Sequence, residues 1–204
     1  MTRLLVVNQY YAPDLASSGQ LLAELCEALA ASGMEVHVVA SQPSYTEGAA
    51  PAAEFEVLNS VNVHRVSVGG SVGRERMRTR AAGYVKFMFN AWNKARALAR
   101  KLKPDTVLTL SNPPSVGLIG AQVSRMINAR YVYVLYDIHP DVIIATGFTR
   151  VPAPAVWAWH KMNHYILKRA DTVIVPGQAM VDTLVQNKGV PRDRVEVIPN
   201  WGRP

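Results

Sequence analysis

The segment YVYVLYDIHPDVIIATG, residues 131–147, brings Asp137, His139 and Asp141 together where an apolar run gives out. Two carboxylates flanking a titratable imidazole can orient substrate hydroxyls or move a proton. As a metal site the set is thin, because its spacing matches no standard ligand pattern. Three polar groups closing a turn would also account for it. A second candidate region is NQYYAPDLASSGQLLAEL, residues 8–25, which follows the apolar Leu4-Leu5-Val6-Val7. Gly19 has no Cβ, so its backbone can approach a ligand closely. The helix that follows would offer unpaired N–H groups to an anion. Ser17 and Ser18 can cap that helix or donate to the ligand, and an ordinary capped loop is the alternative. In SNPPSVG, residues 111–117, two prolines stiffen a turn that carries Asn112. Such a loop suits a sugar or phosphate, and a plain turn explains it nearly as well. Gly177, opening a later helix, completes the substrate-binding candidates Ser18, Gly19, Asn112 and Gly177.

The remaining reactive side chains are weaker candidates. His37 and His64 fall within strand-like runs and read as structural. His160 and His164 are four apart in WAWHKMNHYILKR, but no Glu adjoins the first and no third ligand is evident, so a zincin-type site fails. They read as surface or interdomain groups. No metal is expected. Cys26, the one cysteine, has no activating basic neighbour and reads as core filler. The glycine fingerprint of dinucleotide-binding folds and the phosphate-binding loop with Gly-Lys-Ser/Thr are both absent, which weakens dehydrogenase and triphosphatase readings.

These loops need a scaffold, and the pattern supplies one. Strands are expected at Leu4–Val7, Glu35–Ala40, Asn62–Val66, Thr106–Leu110, Tyr131–Tyr136, Thr172–Val175 and Val195–Ile198, with a short one at Phe55–Leu58. Most are apolar on both sides of the alternation, as in parallel strands covered on both faces. Leu21, Leu22, Leu25, Ala28 and Leu29 recur at helical spacing, and Gly33 is placed to stop that helix. Further helices are expected from Ser115 to about Asn128, from Gly177 through Leu184, and over roughly 80–103, ended by Pro104. The fold class is therefore α/β: a Rossmann-like, doubly wound parallel sheet with helices on both faces. In such sheets ligands bind beyond the carboxyl ends of the strands, where all the candidate loops would lie.

The chain has 204 residues, 49% of them hydrophobic, and a formal net charge of +7. That is enough to bury a full core, and the charge favours anionic partners: phosphorylated small molecules, an acidic membrane surface or nucleic acid. Nucleic acid ranks last, for want of a recognition helix or aromatic platform. No apolar stretch approaches a membrane span, and the opening residues lack the layout of a signal peptide. A cytoplasmic location is expected.

Five stretches, in order, resemble GT-B glycosyltransferases of the family-four type, specifically bacterial enzymes building exopolysaccharide or O-antigen. They are NQYYAPDLASSGQLLAELCEALAASGMEVHVVA, KPDTVLTLSNPPSVG, ARYVYVLYDIHPD, RADTVIVPGQAM and RVEVIPNW. The resemblance covers essentially the whole chain. It implies residues 1–198 as the N-terminal, acceptor-side Rossmann-like domain, with 199–204 starting a hinge to an absent donor-binding domain. By itself such a half would be inactive or nearly so. It further implies transfer of a sugar from a nucleotide-sugar donor to a hydroxyl of a glycan or polyprenyl-linked acceptor, with retention and without a metal or other cofactor. Gly19 takes the place of the family's first-loop glycine, although the family often has two adjacent glycines where this chain has Ser18-Gly19. Asp137 and His139 match the polar turn near the transferred sugar, and the resemblance does not say which one acts.

Arg74, Arg76, Arg78 and Arg80 precede a long helix whose stripe is widened by Phe87, Phe89 and Trp92. Together they suit an anionic membrane surface, where lipid-linked acceptors reside. A solvated charge run before a core helix is the alternative. Two rival functions remain open at this point: a non-catalytic subunit recruiting a separate catalytic chain, and, less favoured, a nucleotide-dependent oxidoreductase or epimerase.

Overall fold

The computed structural model describes residues 1–14, 16–43, 51–68, 77–138 and 152–201. His139, Asp141, Arg74 and Arg76 lie outside these residues. Eight strands form one sheet: β1 (Arg3–Val7), β2 (Glu35–Ser41), β3 (Phe55–Leu58), β4 (Val61–Val66), β5 (Thr106–Leu110), β6 (Arg130–Val134), β7 (Thr172–Val175) and β8 (Val195–Val197). Their spatial order is β3-β4-β2-β1-β5-β6-β7-β8. All neighbours are parallel except β3 and β4. Those two are joined through Asn59 and Ser60, both with positive φ (47° and 68°), the backbone that a two-residue hairpin turn requires. The expected strand boundaries hold to within a residue, save that β6 ends at Val134 and Tyr136 belongs to the following turn.

The helices are α1 (Ser17–Ala31), α2 (Met77–Leu102), α3 (Val116–Ile127), α4 (Ala153–Arg169) and α5 (Gln178–Asp182), the last running into a π-helical turn at Thr183–Asn187. Alternation along each strand sorts the core into two faces. Leu4 and Val6 of β1 pack with Leu22, Ala23 and Cys26 of α1. Leu5 and Val7 pack with Phe87, Ala91, Ala95 and Ala99 of α2 and with Val116, Ile119 and Val123 of α3. Tyr131 and Tyr133 of β6 join Ile166 and Leu167 of α4 on the α3 side. The sheet is covered on both faces, as its apolar strands require.

Two sequence expectations need correction here. Phe87 and Trp92 do not widen an outward stripe on α2. Phe87 is fully buried, and Trp92 is half-buried against the core. Among the described side chains of this helix, Val85 and Phe89 face outward, about two-thirds exposed. Ser115 does occupy the position before α3, but its hydroxyl makes no cap. It pairs instead with the Tyr84 hydroxyl at 2.5 Å and donates to Met88 Sδ at 3.3 Å.

His37 and His64 are structural, as expected, and form a buried relay. His37 Nε2 lies 3.0 Å from Glu35 Oε1, and His37 Nδ1 lies 3.1 Å from His64 Nε2. A carboxylate only accepts, so His37 Nε2 carries a proton and, in neutral His37, Nδ1 accepts from His64 Nε2–H. Burial first, then the neighbouring His37, Lys94 and Lys101, push the His64 pKa down to about 4. The unfolded chain, with an ordinary value of 6.5, therefore binds more protons between these limits. Stability is complete above pH 6.5 and falls as pH drops toward 4. Thermal melts across that window are expected to show a loss of about 2 kcal/mol, discounted for partial solvent contact. His64→Gln should flatten the slope. An identical pH profile in the variant would assign the acid sensitivity elsewhere.

Candidate functional site

The chain turns outward in both directions from the β1–β5 pair: β2 and β4 follow on one side, β6, β7 and β8 on the other. This is the switch point of an open parallel sheet, where loops diverge and leave a crevice. The loop after β1 and the loop after β5 border it. Hydrogen bonds continue past the strands and tie each of these loops to its neighbour in the sheet. Ser111 N donates to Val134 O at 2.9 Å, Tyr136 N donates to Ser111 Oγ at 3.0 Å, and Leu135 N donates to Ile174 O at 2.8 Å. On the other side Ser41 donates through both N and Oγ to the Gln9 carbonyl, at 2.9 and 2.8 Å.

The crevice is an open cleft of about 220 Å³ lined by Ser17, Ser18, Leu21, Asn112, Tyr136, Asp137 and Asn200. Three of the sequence-derived candidates, Ser18, Asn112 and Asp137, thus meet in one place. Asp137 is exposed to it because the next residue, Ile138, turns into the core and anchors the turn. Ser17 and Ser18 fall in the first turn of α1, after Ala16 rather than before the helix, and neither caps it. Their hydroxyls and the first-turn N–H groups, which have no acceptor within the helix, border the cleft. A cleft with hydroxyl, carboxamide and N–H donors on two sides and a carboxylate on the third offers partners to an anion and to sugar hydroxyls, and at about 220 Å³ it encloses only part of such a ligand.

Gly19 lies beside this lining but not in it. It is buried, and a Cβ there would stand 3.3 Å from the backbone and Cβ of Tyr10. What comes close to Gly19 is the chain's own first loop, so α1 begins tight against that loop and presents Ser17 and Ser18 forward. Gly177 is set apart: it precedes α5 at the end of β7 with open space where a side chain would go. Tyr136 and Asn200 were not among the sequence-derived candidates. Tyr136 falls between the strand and the polar turn, and Asn200 reaches the cleft only because the tail folds back. Trp201 Nε1 donates to Glu24 Oε2 of α1 at 2.7 Å. Pro199-Asn200, expected as the start of a hinge, therefore runs along the mouth of the cleft.

Behind the first loop lies Arg65 of β4, a side chain with no exposed surface. It pairs with Glu56 of β3 at 2.9 Å, donates to Ser41 O at 3.4 Å, and donates to Ala12 O in the first loop. One guanidinium thus joins β2, β3, β4 and the loop against which the start of α1 is seated. Its sequence signal was a lone charge inside the otherwise strand-like VNVHRV. Cys26 is buried under the same loop near Tyr11, its thiol pushed up to about 12 mainly by burial, which leaves it no role as a nucleophile.

This scaffold and cleft agree with the comparisons. Residues 18–201 match the model of the glycosyl transferase 4-like domain, and the chain belongs to that family. No curated protein matches it in sequence. Among solved structures it is similar to sucrose-phosphate synthase from Thermosynechococcus elongatus, at 16% identity and a TM-score of 0.62, covering 97% of this chain and 88% of that one. It is also similar to Anabaena HepE in complex with UDP-glucose, at 15% identity and a TM-score of 0.60, covering 99% of this chain and 44% of that one. Acinetobacter baumannii MurG matches at 12% identity and a TM-score of 0.53, covering 100% and 47%. The fold is that of one GT-B half, and the chain spans a little under half the length of the last two structures.

Proposed function

We propose that this chain is the acceptor-side half of a retaining glycosyltransferase, which moves a sugar from a nucleotide-sugar to a hydroxyl of a glycan or polyprenyl-linked acceptor. A role in cell-surface polysaccharide synthesis on the cytoplasmic side fits that chemistry. The observation that carries the reading is the meeting of Ser17, Ser18, Asn112 and Asp137 in one cleft at the switch point of a glycosyl transferase 4-like domain. Donors on α1 and on the β5 loop would face the negative charge that develops on a departing diphosphate. Asp137 would accept from sugar hydroxyls and hold the ring in place. His139, the second residue of that pair in the resemblance, is proposed to assist it. Neither needs to attack the sugar, and the chemistry calls on no metal.

The test uses the complete gene product and a panel of nucleotide-sugars. Asp137→Ala is expected to lower kcat by roughly 10²-fold, the scale of losing a group that acts mainly in the transition state. Undiminished turnover in Asp137→Ala and His139→Ala alike would overturn the cleft assignment.

A membrane contact through α2 completes the proposal. Val85 and Phe89 are one helical turn apart and outward-facing, on the helix that carries Arg78 and Arg80 in its first turn. Outward apolar side chains on a helix whose sequence opens with cations favour an anionic bilayer surface. Among the described residues no helix is long and apolar enough to cross a membrane, so contact would be peripheral. Tyr84, on the same helix, reaches Ser115 in the β5 loop, which would join a lipid-facing surface to the wall of the cleft.

A further inference from the structure

A second recess, of about 310 Å³, lies between α4 and the end of α5 and is lined by His160, Asn163, His164, Leu167, Asn187 and Lys188. It shares no residue with the cleft. It is also remote from the carboxyl edge of the sheet, because α5 starts at that edge with Gly177 and Asn187 and Lys188 come at its far end. Its volume falls at the low end of small-ligand pockets, roughly 300–1,000 Å³. The composition of the lining is one-sided. Two imidazoles, two carboxamides and an ammonium can all donate hydrogen bonds, and no carboxylate is present. His160 and His164 stand one turn apart on a single helix face, with Asn163, 6% exposed, beneath them.

The surroundings strengthen the bias. All seventeen residues of α4, APAVWAWHKMNHYILKR, lack an acidic side chain while including Lys161, Lys168 and Arg169. The π-helical turn TLVQN has none either, and the nearest acid along this element is Asp182, the exposed last residue of α5, which is not part of the lining. The Leu184 carbonyl, which would otherwise project from the end of that turn, accepts from Lys188 N and, at 3.1 Å, from Val190 N. Among the described lining groups, therefore, none is a carboxylate and five side chains carry N–H donors.

We infer that the recess between α4 and α5 is a binding site for a small phosphate-bearing ligand, separate from the cleft at the switch point. Lys188 supplies the fixed charge, Asn163 and Asn187 orient the phosphate oxygens, and His160 and His164 close over it from the helix face. The inference does not depend on the proposed transferase chemistry, since neither the ligand set nor its location draws on the cleft.

The experiment titrates the isotope-labelled 204-residue chain with inorganic pyrophosphate and, separately, with glucose 1-phosphate, following side-chain amide and imidazole resonances by NMR. Saturable shifts at Asn163, Asn187 and the two histidines are expected at millimolar ligand. Stronger binding of glucose 1-phosphate would identify a sugar phosphate as the ligand, and stronger binding of pyrophosphate a bare phosphoanion. Lys188→Met alone should weaken binding roughly tenfold, the loss of about one charge-assisted hydrogen bond. His160→Ala with His164→Ala should weaken it further, while Ser18→Ala with Asn112→Ala leaves these shifts intact. Shifts confined to the Ser18–Asn112 cleft, shifts indifferent to Lys188→Met, or no shifts with either ligand would each overturn the site and leave the cleft reading untouched.

Discussion

Gly120→Val is expected to destabilise the chain by about 3 kcal/mol or more, and Gly120→Ala by about 1–3 kcal/mol. Helix propensity alone predicts the opposite sign for alanine, a gain of about 1 kcal/mol over glycine. The packing decides against it. A Cβ at Gly120 would meet the Tyr131 ring and come within 2.7 Å of Thr109 Cγ2. Neither neighbour is free to give way. Tyr131 is fully buried, its hydroxyl pairs with Thr109 Oγ1 at 2.7 Å, and it donates to the Gly117 carbonyl of α3 at 3.0 Å. The ring is thus fastened to the strand on one side and to the helix carrying Gly120 on the other. Any added carbon must push α3 off β5 and β6. Urea unfolding of the two variants checks the sign and the grading. Tyr131→Leu should recover part of the loss in a double-mutant cycle, because it removes the atoms that clash. A stabilised Gly120→Ala would show that the helix can move outward cheaply, and would sink the account. The consequence reaches the site, since α3 begins directly after the loop that carries Asn112.

Some of this was legible from residue order and some was not, for physical reasons. The strands could be read because parallel strands buried on both faces must be apolar at nearly every position, as in LLVV or TVLTL. Asp137 and Asn112 could be placed because each follows such a run, and in this class of sheet the segment after a strand faces the ligand side. The inner side chains of α2 were harder. Phe87, Phe89 and Trp92 are alike in hydropathy, and only a difference of about 100° per residue around the axis sends the first inward and the second outward. Gly19 shows a different limit. A bare backbone position signals close approach, but the sequence does not say of what, and the neighbour proves to be Tyr10. Asn200 could not be assigned to the cleft from sequence at all. Its place depends on a hydrogen bond between Trp201 and Glu24, 177 positions apart. Arg65 gives no such signal, because a single charge in a strand usually marks the solvent side, whereas here the partners that satisfy it come from three other segments.

Arg65→Met carries the second large effect, about 3 kcal/mol of lost stability, within the range for breaking a buried pair by removing one partner. Methionine approximates the length of the stem and fills the space, so the loss is chiefly electrostatic. Glu56 keeps its charge with three-quarters of its side chain covered, and the Ser41 and Ala12 carbonyls each lose a donor. For a chain of this size the melting temperature should fall by roughly 6–12 °C. The local prediction is sharper than the global one. Ala12 belongs to the loop whose Tyr10 closes against Gly19, so releasing the Ala12 carbonyl loosens the seat of α1 and with it Ser17 and Ser18. Amide exchange should therefore accelerate at residues 9–14 and in the first turn of α1 beyond what uniform destabilisation produces, while α3 and β6 change only with global stability. Replacing both partners, Arg65→Met with Glu56→Leu, should restore much of the global stability, since no buried charge is left unpaired. The same double variant should leave the loop fast-exchanging, because the Ala12 carbonyl still lacks its donor. Recovery of loop protection along with stability would mean that the pair with Glu56, and not the reach to the loop, is what Arg65 provides.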